Sequence, residues 1–120
     1  MPLLAISVND VYSTFMIFME SPLFTQQIQE LLTDDSYAEL QDAIEKNPKV
    51  GDLITGSNGL RKIRWSTEGR GKRGGIRVIY YWHVPGDQTY MLLAYAKNKQ
   101  SDLTPAQLKF LKQLVTEEFR

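Results

Sequence analysis

The apolar positions in the first half of the chain predict one strand followed by two helices. The short run Phe15–Met19 is typical of a buried strand, and Ser21-Pro22 supplies an N-cap and a proline for a first helical turn. Apolar residues then share one helical face: Phe24, Ile28, Leu31 and Leu32. We expect Asp34-Asp35 to break this helix and the capping-box pattern Ser36–Glu39 to begin a second one, which Asn47-Pro48 ends.

The second half of the chain changes to the alternation that is typical of strands. After a loop predicted over 47–59, residues 60–66 alternate between two sides: Leu60, Lys62, Arg64 and Ser66 on one, Arg61, Ile63 and Trp65 on the other. The apolar segments Ile76–Val84 and Thr89–Ala96, joined by a turn at Pro85–Asp87, predict a hairpin. Thr104-Pro105 then predicts the start of a C-terminal helix.

The predicted order of elements, β-α-α-β-β-β-α, defines the fold class. We expect an α+β domain over residues 16–120, in which a small antiparallel sheet packs against two N-terminal helices and a C-terminal helix. Residues 1–15 show neither a period nor a helix cap. We therefore expect them to be an N-terminal extension, poorly ordered or the product of an upstream start codon, that the domain does not need.

The composition excludes several kinds of chemical site but adds little to the prediction of the fold. The 120 residues are 42% hydrophobic and 23% charged, which is typical of one folded domain. The lack of cysteine excludes disulfides, thiol catalysis and cysteine-ligated metals, and the single histidine, His83, excludes multi-histidine metal sites. Carboxylates alone could still hold a hard cation. With no secretion signal and no apolar stretch of about 20 residues, we expect a cytoplasmic protein without a membrane partner.

The formal net charge is zero, but the charges are segregated along the chain. Residues 1–57 carry two basic and nine acidic side chains, a net charge of −7. Residues 58–99 carry nine basic and two acidic side chains, a net charge of +7, and residues 100–120 balance. A fold that keeps 58–99 on one face would present a surface that attracts phosphate.

Four basic residues of this segment lie on neighbouring predicted strands. Lys62 and Arg64 are two residues apart and so face the same side of a sheet, Arg77 lies near the start of the next strand, and Lys97 follows the third. If these strands are adjacent and antiparallel, the four cations converge on one surface that suits phosphate. The alternative is that they are simply the solvated face of the strands. In either case we expect Arg77 to be a surface cation that contributes little to stability.

Other residues of the chain favour structural interpretations. Four aromatic residues could stack on unpaired bases, although core packing is the commoner role of such a run: Tyr80, Tyr81, Trp82 and Tyr95. Gly69–Gly75 is basic and glycine-rich but lacks the spacing of a P-loop, so we expect a flexible loop that touches nucleic-acid backbone. We expect His83 to be a solvated residue beside the turn, and the carboxylates of the second helix to form a solvated face.

Several segments, taken together and in order, resemble the RelE/ParE toxin superfamily, in particular its HigB-like branch. They are Asn47–Asp52, Gly59–Trp65, Gly71–Tyr81, Leu92–Asn98 and Asp102–Thr104. The resemblance implies the toxin of a bacterial type II toxin–antitoxin pair, a ribosome-dependent mRNA endonuclease that inhibits translation without metal or cofactor. The implied partners are a small cognate antitoxin, the A site of the 30S ribosomal subunit and mRNA, and the implied oligomer is the toxin–antitoxin complex.

The resemblance also implies roles for individual residues. Lys62 and Arg64 look like the superfamily's Lys-x-Lys/Arg on the first central strand. Arg77 looks like the arginine after a glycine on the next strand, and Lys97 like the basic residue that closes the third; these four are the implied catalytic residues. The implied contacts to RNA or the ribosome are Arg61, Arg70, Lys72, Arg73, Asn98 and Lys99. Well-studied RelE-type enzymes have arginine where this chain has Asn98 and tyrosine where it has Thr104, and HigB-like relatives resemble this chain in lacking both.

These residues allow RNA cleavage without histidine. The RNA 2′-hydroxyl attacks the adjacent phosphorus while Arg64 and Arg77 stabilise the added negative charge. Either Lys62 or Lys97 acts as the general base, if neighbouring cations favour its neutral form, or the site orients the RNA for in-line attack. Two other functions stay open: a ParE-like inhibitor of DNA gyrase that is not a nuclease, and an inactive nucleic-acid-binding module.

Overall fold

A computed structural model describes residues 4–8, 16–66 and 75–119, which fold into one sheet with helices on both faces. The elements are β1 (Leu4–Val8), β2 (Ile17–Glu20), α1 (Pro22–Leu31), α2 (Asp34–Lys46), β3 (Asp52–Leu53), β4 (Leu60–Trp65), β5 (Ile76–His83), β6 (Gln88–Ala96) and α3 (Pro105–Glu118). The predicted fold class is confirmed: two N-terminal helices, a mostly antiparallel sheet and a C-terminal helix.

The order of the strands in the sheet is β1–β2–β6–β5–β4–β3. The three pairs β3–β4, β4–β5 and β5–β6 are antiparallel, as a shared basic surface requires. β2 instead pairs parallel with β6, so the sheet is not antiparallel throughout as expected. A parallel pair needs a long connection, and the chain from α1 to β5 supplies it.

Different helices cover the two faces of the sheet. On one face, α1 and α2 enclose a core of fully buried side chains that includes Phe18, Phe24, Leu40, Ile44, Val78 and Tyr80. On the other, which we call the α3 face, α3 packs Leu111, Leu114 and Val115 against a second core that includes Leu60, Ile79 and Leu93. Because successive strand residues alternate between faces, β4 and β5 contribute to both cores.

The start of α2 corrects the sequence analysis. Thr33, and not Ser36, is the N-cap, and its hydroxyl accepts a hydrogen bond from the Ser36 N–H. Asp34 and Asp35 do not break a helix but lie in the first turn of α2, where the helix dipole favours negative charge. The buried Ser36 hydroxyl accepts a hydrogen bond from Trp65 Nε1 at 3.2 Å, which ties α2 to β4.

Tyr80 holds the loop between α2 and β4 against the sheet. Its hydroxyl accepts a hydrogen bond from the Gly51 N–H at 2.9 Å and donates one to the Pro48 carbonyl at 2.7 Å. The side chain is fully buried, and burial raises the pKa of Tyr80, so the hydroxyl keeps the proton that it donates. The predicted loop 47–59 is therefore anchored, and within it β3 pairs with β4 at the sheet edge.

Tyr80→Phe is expected to lower the free energy of unfolding by about 1–3 kcal/mol, because the buried Gly51 N–H loses its partner. Urea titration followed by circular dichroism measures this loss. Tyr81→Phe is the matched control, since the Tyr81 ring is only half-buried and stacks on Phe119. Equal unfolding midpoints for the Tyr80 variant and the unchanged protein would contradict the anchoring role.

β1 lies within residues 1–15, for which the sequence pattern predicted no element. Its backbone pairs antiparallel with β2 at the edge of the sheet, and residues 1–3 and 9–15 lie outside the described residues. That the domain does not need residues 1–15 stays a prediction. A chain that begins at Met16 is expected to fold and act as the full chain does, because β2 keeps its pairing with β6. Circular dichroism and growth arrest on expression measure this, and a misfolded shortened chain would refute it.

Candidate functional site

A row of cationic and phenolic side chains crosses the α3 face of the sheet. In the strand register, Arg64 of β4 lies directly opposite Arg77 of β5, and Arg77 lies opposite Tyr95 of β6. Lys62 is two residues from Arg64 and faces the same side, opposite Asp52 of β3. The register thus brings Lys62, Arg64 and Arg77 to one face, as the alternation of the sequence predicts.

Arg77 is much less exposed than expected. Its exposed fraction is 9%, so the expectation of a surface cation is wrong. The reason is its place on β5, which lies between β4 and β6 under the α3 face. Its Nη1 donates a hydrogen bond to the Ile76 carbonyl at 3.2 Å. Because a charge removed from water acts more strongly on its neighbours, Arg77 acts more strongly on the groups around it than an exposed cation would.

Asp102, which the sequence analysis did not assign to the site, adds a carboxylate. Lys62 Nζ donates a hydrogen bond to Asp102 Oδ1 at 3.1 Å, and the Leu103 N–H donates to the same oxygen at 2.8 Å. The Leu103 N–H, followed by Lys62 and the charge of Arg77, holds the pKa of Asp102 below its ordinary value, so this carboxyl is ionised at neutral pH. Asp102 begins one of the segments that carry the resemblance, but nothing in the sequence pattern placed its carboxylate beside Lys62.

Tyr95 completes the row on β6. The side chain is 6% exposed, and its hydroxyl has no hydrogen-bond partner among the described residues. Burial and the charge of Asp102 raise the pKa of Tyr95 while Arg77 lowers it, so both charged groups act on the phenol. The ring of Tyr95 belongs to the core on the α3 face, but packing alone does not account for the hydroxyl.

Lys97, Asn98 and Lys99 follow β6 at the end of the sheet where the arginine pair lies. The Lys97 N–H donates a hydrogen bond to the Gly75 carbonyl at 3.1 Å, which fixes the backbone of Lys97 beside the start of β5. Lys97 is half-buried, and Asn98 and Lys99 are exposed in the turn that follows. Lys97 and Lys99 therefore add positive charge at this end of the sheet, and Asn98 adds an exposed amide.

A cavity of about 340 Å³ opens beside Lys62 and Arg64. Its other walls come from β3, the loop after it, the segment before α3 and α3 itself: Asp52, Leu53, Ile54, Thr55, Asp102, Leu103 and Leu108. A slightly larger cavity of about 370 Å³ lies on the opposite face between α1 and α2, where Glu20 and Asp34 contribute carboxylates and no basic residue is among the described lining. Of these two cavities only the first has basic residues in its described lining, Lys62 and Arg64, and the carboxylates of Asp52 and Asp102 balance their charge.

Some of the candidate RNA contacts lie away from this row. Arg61 is on the opposite face of β4, and its Nη1 donates to the Gly51 carbonyl at 2.7 Å, so its guanidinium supports the loop 48–51. Arg70, Lys72 and Arg73, with most of the glycine-rich loop, lie outside the described residues. The structure therefore gathers Lys62, Arg64, Arg77 and the backbone of Lys97, but not Arg61.

The remaining expectations concern aromatic and acidic side chains. Tyr80 is a core residue, as the packing interpretation predicted. His83 lies beside the turn, as expected, and keeps part of its surface exposed, while its ring centroid lies 5.5 Å from that of Phe119 because the chain after α3 returns to the sheet. The acidic face of α2 is solvated as predicted, with Asp42 paired to Lys46 at 2.9 Å on the surface.

No model of a known protein family matches the chain. Within the described ranges, no helix is long and apolar enough to cross a membrane. Across the same ranges, no three His, Asp or Glu side chains come together in a way that could hold a metal ion. What the described residues do assemble is three cations, a carboxylate and a phenol on one sheet face, a set that can bind a phosphate group and stabilise negative charge that develops on it.

Proposed function

We propose that this protein is the toxin of a toxin–antitoxin pair, a ribosome-dependent endonuclease that cleaves mRNA and thereby inhibits translation. The observation that carries the proposal is the cross-strand pair Arg64–Arg77. Like charges directly opposite each other destabilise a sheet, and a phosphate between them reverses the sign of that interaction. A strand pair that keeps two arginines in this register is suited to an anionic substrate more than to the stability of the fold.

The proposed reaction is transesterification within the RNA. The 2′-oxygen forms a bond to the adjacent phosphorus, the 5′-oxygen of the next nucleotide leaves and takes up a proton, and a 2′,3′-cyclic phosphate results. Arg77 and Arg64 stabilise the extra charge on the phosphorane from one face, and Lys62 reaches it once released from Asp102. Two routes for the 2′-proton fit the residues: transfer to Lys62 or Lys97, or loss to solvent from an RNA held in line.

The surroundings of the site support a large anionic partner. Residues 58–99 carry a net charge of +7, and Asn98 and Lys99 are exposed beside the row. We place the protein in the cytoplasm, where its proposed targets are the A site of the 30S subunit and the mRNA bound there. The proposed antitoxin carries an acidic or amphipathic segment that covers the basic surface, since such a partner associates fast and in a salt-sensitive manner.

The test is to express the chain in bacteria and map the 5′ ends of mRNA. New ends in translated frames, lost when translation initiation is blocked, are the expected result. Lys46→Ala is the positive control, because Lys46 is exposed on α2 and remote from the row. Intact mRNA with double-strand DNA breaks would support gyrase inhibition in place of cleavage, and binding to RNA without either kind of damage would indicate an inactive binding module.

A further inference from the structure

The Tyr95 hydroxyl is the polar group of the site that the proposed reaction leaves unexplained. It is buried, it lies in the row beside Arg77, and it has no hydrogen-bond partner among the described residues. A buried hydroxyl without a partner is unfavourable, and phenylalanine would fill the same space without that loss. Tyr80, on β5 and in the core of the opposite face, shows the ordinary case, since its buried hydroxyl makes two hydrogen bonds.

The Asp102 carboxylate is paired with Lys62, a cation on the same face of the sheet as Tyr95. It pairs with Lys62 at 3.1 Å, and the side chains are 67% and 27% exposed respectively. An ion pair this exposed is weak and is screened by salt, so an incoming anion can replace the carboxylate at small cost. Asp102 therefore stands where one oxygen of a bound phosphate would meet Lys62.

The same short segment carries both the carboxylate and an apolar cover. Asp102 Oδ1 accepts a hydrogen bond from the Leu103 N–H, and the Leu103 side chain packs against the core that contains Tyr95. The charge of Asp102 also acts on the Tyr95 phenol, so displacement of Asp102 from Lys62 changes the surroundings of both groups. Burial keeps the phenol protonated at neutral pH, since it raises the pKa of Tyr95, so the hydroxyl offers an incoming phosphate a hydrogen-bond donor.

We propose that Tyr95 is a further substrate-contacting residue, whose hydroxyl donates to a phosphate oxygen of the RNA after that phosphate has displaced Asp102 from Lys62. The inference rests on the proposed phosphate site and adds two parts to it. Tyr95 is a neutral hydrogen-bond donor that acts beside Arg77. Asp102 is an internal anion that occupies Lys62 until a phosphate replaces it. The opposing assignment is that Asp102 is a catalytic base. The two assignments predict opposite effects on RNA binding and cleavage when the charge of Asp102 is removed.

The first experiment compares Tyr95→Phe with the unchanged full chain and with Tyr80→Phe. The probes are inorganic phosphate and a short 2′-O-methyl RNA, which cannot be cleaved, titrated at low salt with NMR detection of the tyrosine ring signals. For Tyr95→Phe we expect an unchanged or higher melting temperature and a loss of affinity of at least about tenfold. For Tyr80→Phe we expect the reverse: a lower melting temperature and unchanged affinity of the folded fraction.

The second experiment removes the charge of Asp102. Asp102→Asn keeps an oxygen for the Leu103 N–H and is expected to raise the affinity for both probes by about two- to fivefold at low salt, with the gain fading as salt increases. Asp42→Asn, which removes the same charge from the surface pair on α2, should change neither affinity. Weaker binding or slower cleavage by Asp102→Asn would overturn the internal-anion assignment.

The outcomes separate this inference from the proposed function. Arg77→Lys tests the phosphate site itself, because lysine keeps the charge but not the fork of donors. If Arg77→Lys weakens binding and Tyr95→Phe does not, the role of Tyr95 is refuted while the phosphate site stands. If Arg77→Lys binds both probes as the unchanged chain does, the site and the inference are both refuted.

Discussion

Arg77→Ala is expected to raise the barrier to mRNA cleavage by about 2–4 kcal/mol, a loss of about 30- to 1000-fold in rate. The size of this barrier increase follows from the position of the Arg77 guanidinium. It lies under the α3 face at 9% exposure, opposite Arg64, where little water competes for the charge that develops on phosphorus. Cleavage of a translated mRNA by the purified full chain on purified ribosomes measures the loss directly.

The burial of Arg77 requires a second variant, because alanine also removes a hydrogen bond to the Ile76 carbonyl and leaves a gap. Arg77→Lys keeps the charge and most of the chain length and is expected to fold, with cleavage lowered by about tenfold or more because the two-point contact with phosphate is lost. Lys46→Ala, on the exposed surface of α2, is the control for the loss of one positive charge. Folded Arg77 variants that cleave at the full rate would show that this face is no phosphate site and would favour gyrase inhibition.

Gly75→Ala is expected to lower the free energy of unfolding by about 2–4 kcal/mol, made up of about 1 kcal/mol for a side chain at positive φ and about 1–3 kcal/mol for overpacking. The backbone φ of Gly75 is 55°, and an added Cβ would stand 2.5 Å from the Trp65 carbonyl oxygen. The atoms that this Cβ would meet belong to the backbone of Trp65 and Ser66, which cannot rotate away as a side chain can. Since Gly75 also accepts the Lys97 N–H and lies two residues before Arg77, cleavage should fall with stability.

Gly56→Ala separates the two causes. Gly56 has a φ of 73°, and nothing lies within 4 Å of the Cβ it lacks, so this variant meets the backbone penalty without the collision. It should lose only about 1 kcal/mol and retain cleavage. Denaturant titrations of both variants, run side by side, give the comparison. Equal losses at the two glycines would mean that the close approach of β4 to the start of β5 is not what requires glycine at position 75.

The local elements were predictable because their signals lie within a few residues. Ser21-Pro22 and Thr104-Pro105 begin helices where the caps place them, and the alternation over 60–66 correctly assigned Lys62 and Arg64 to one face and Arg61 to the other. The N-cap of α2 was assigned to Ser36 because Thr33 and Ser36 are both good caps. Which of the two residues caps the helix depends on the burial of Ser36 against Trp65, 29 residues away.

The parts of the site that escaped prediction depend on contacts between distant segments. Alternation shows which residues share a face, but it does not set the register that places Arg64 opposite Arg77. The burial of Arg77 follows from which strands flank β5 and what covers that face, and the Lys62–Asp102 pair joins residues 40 apart. The lone hydroxyl of Tyr95 is likewise a property of the packed fold and has no counterpart in the sequence pattern.

The parallel pairing of β2 with β6 sets the order in which a nascent chain can fold. Ser21 hydrogen-bonds to Leu92 across 71 residues, whereas β5 and β6 are joined by a short turn. Closing a long loop costs more entropy than closing a short one, so the hairpin forms before β2 docks. During synthesis α1 and α2 therefore lack the central strands of the sheet until β6 leaves the ribosomal tunnel, and β2 has only β1 to pair with. The segment that carries Asp102 emerges only after that, so the Lys62–Asp102 pair on the cationic face forms later than the sheet itself.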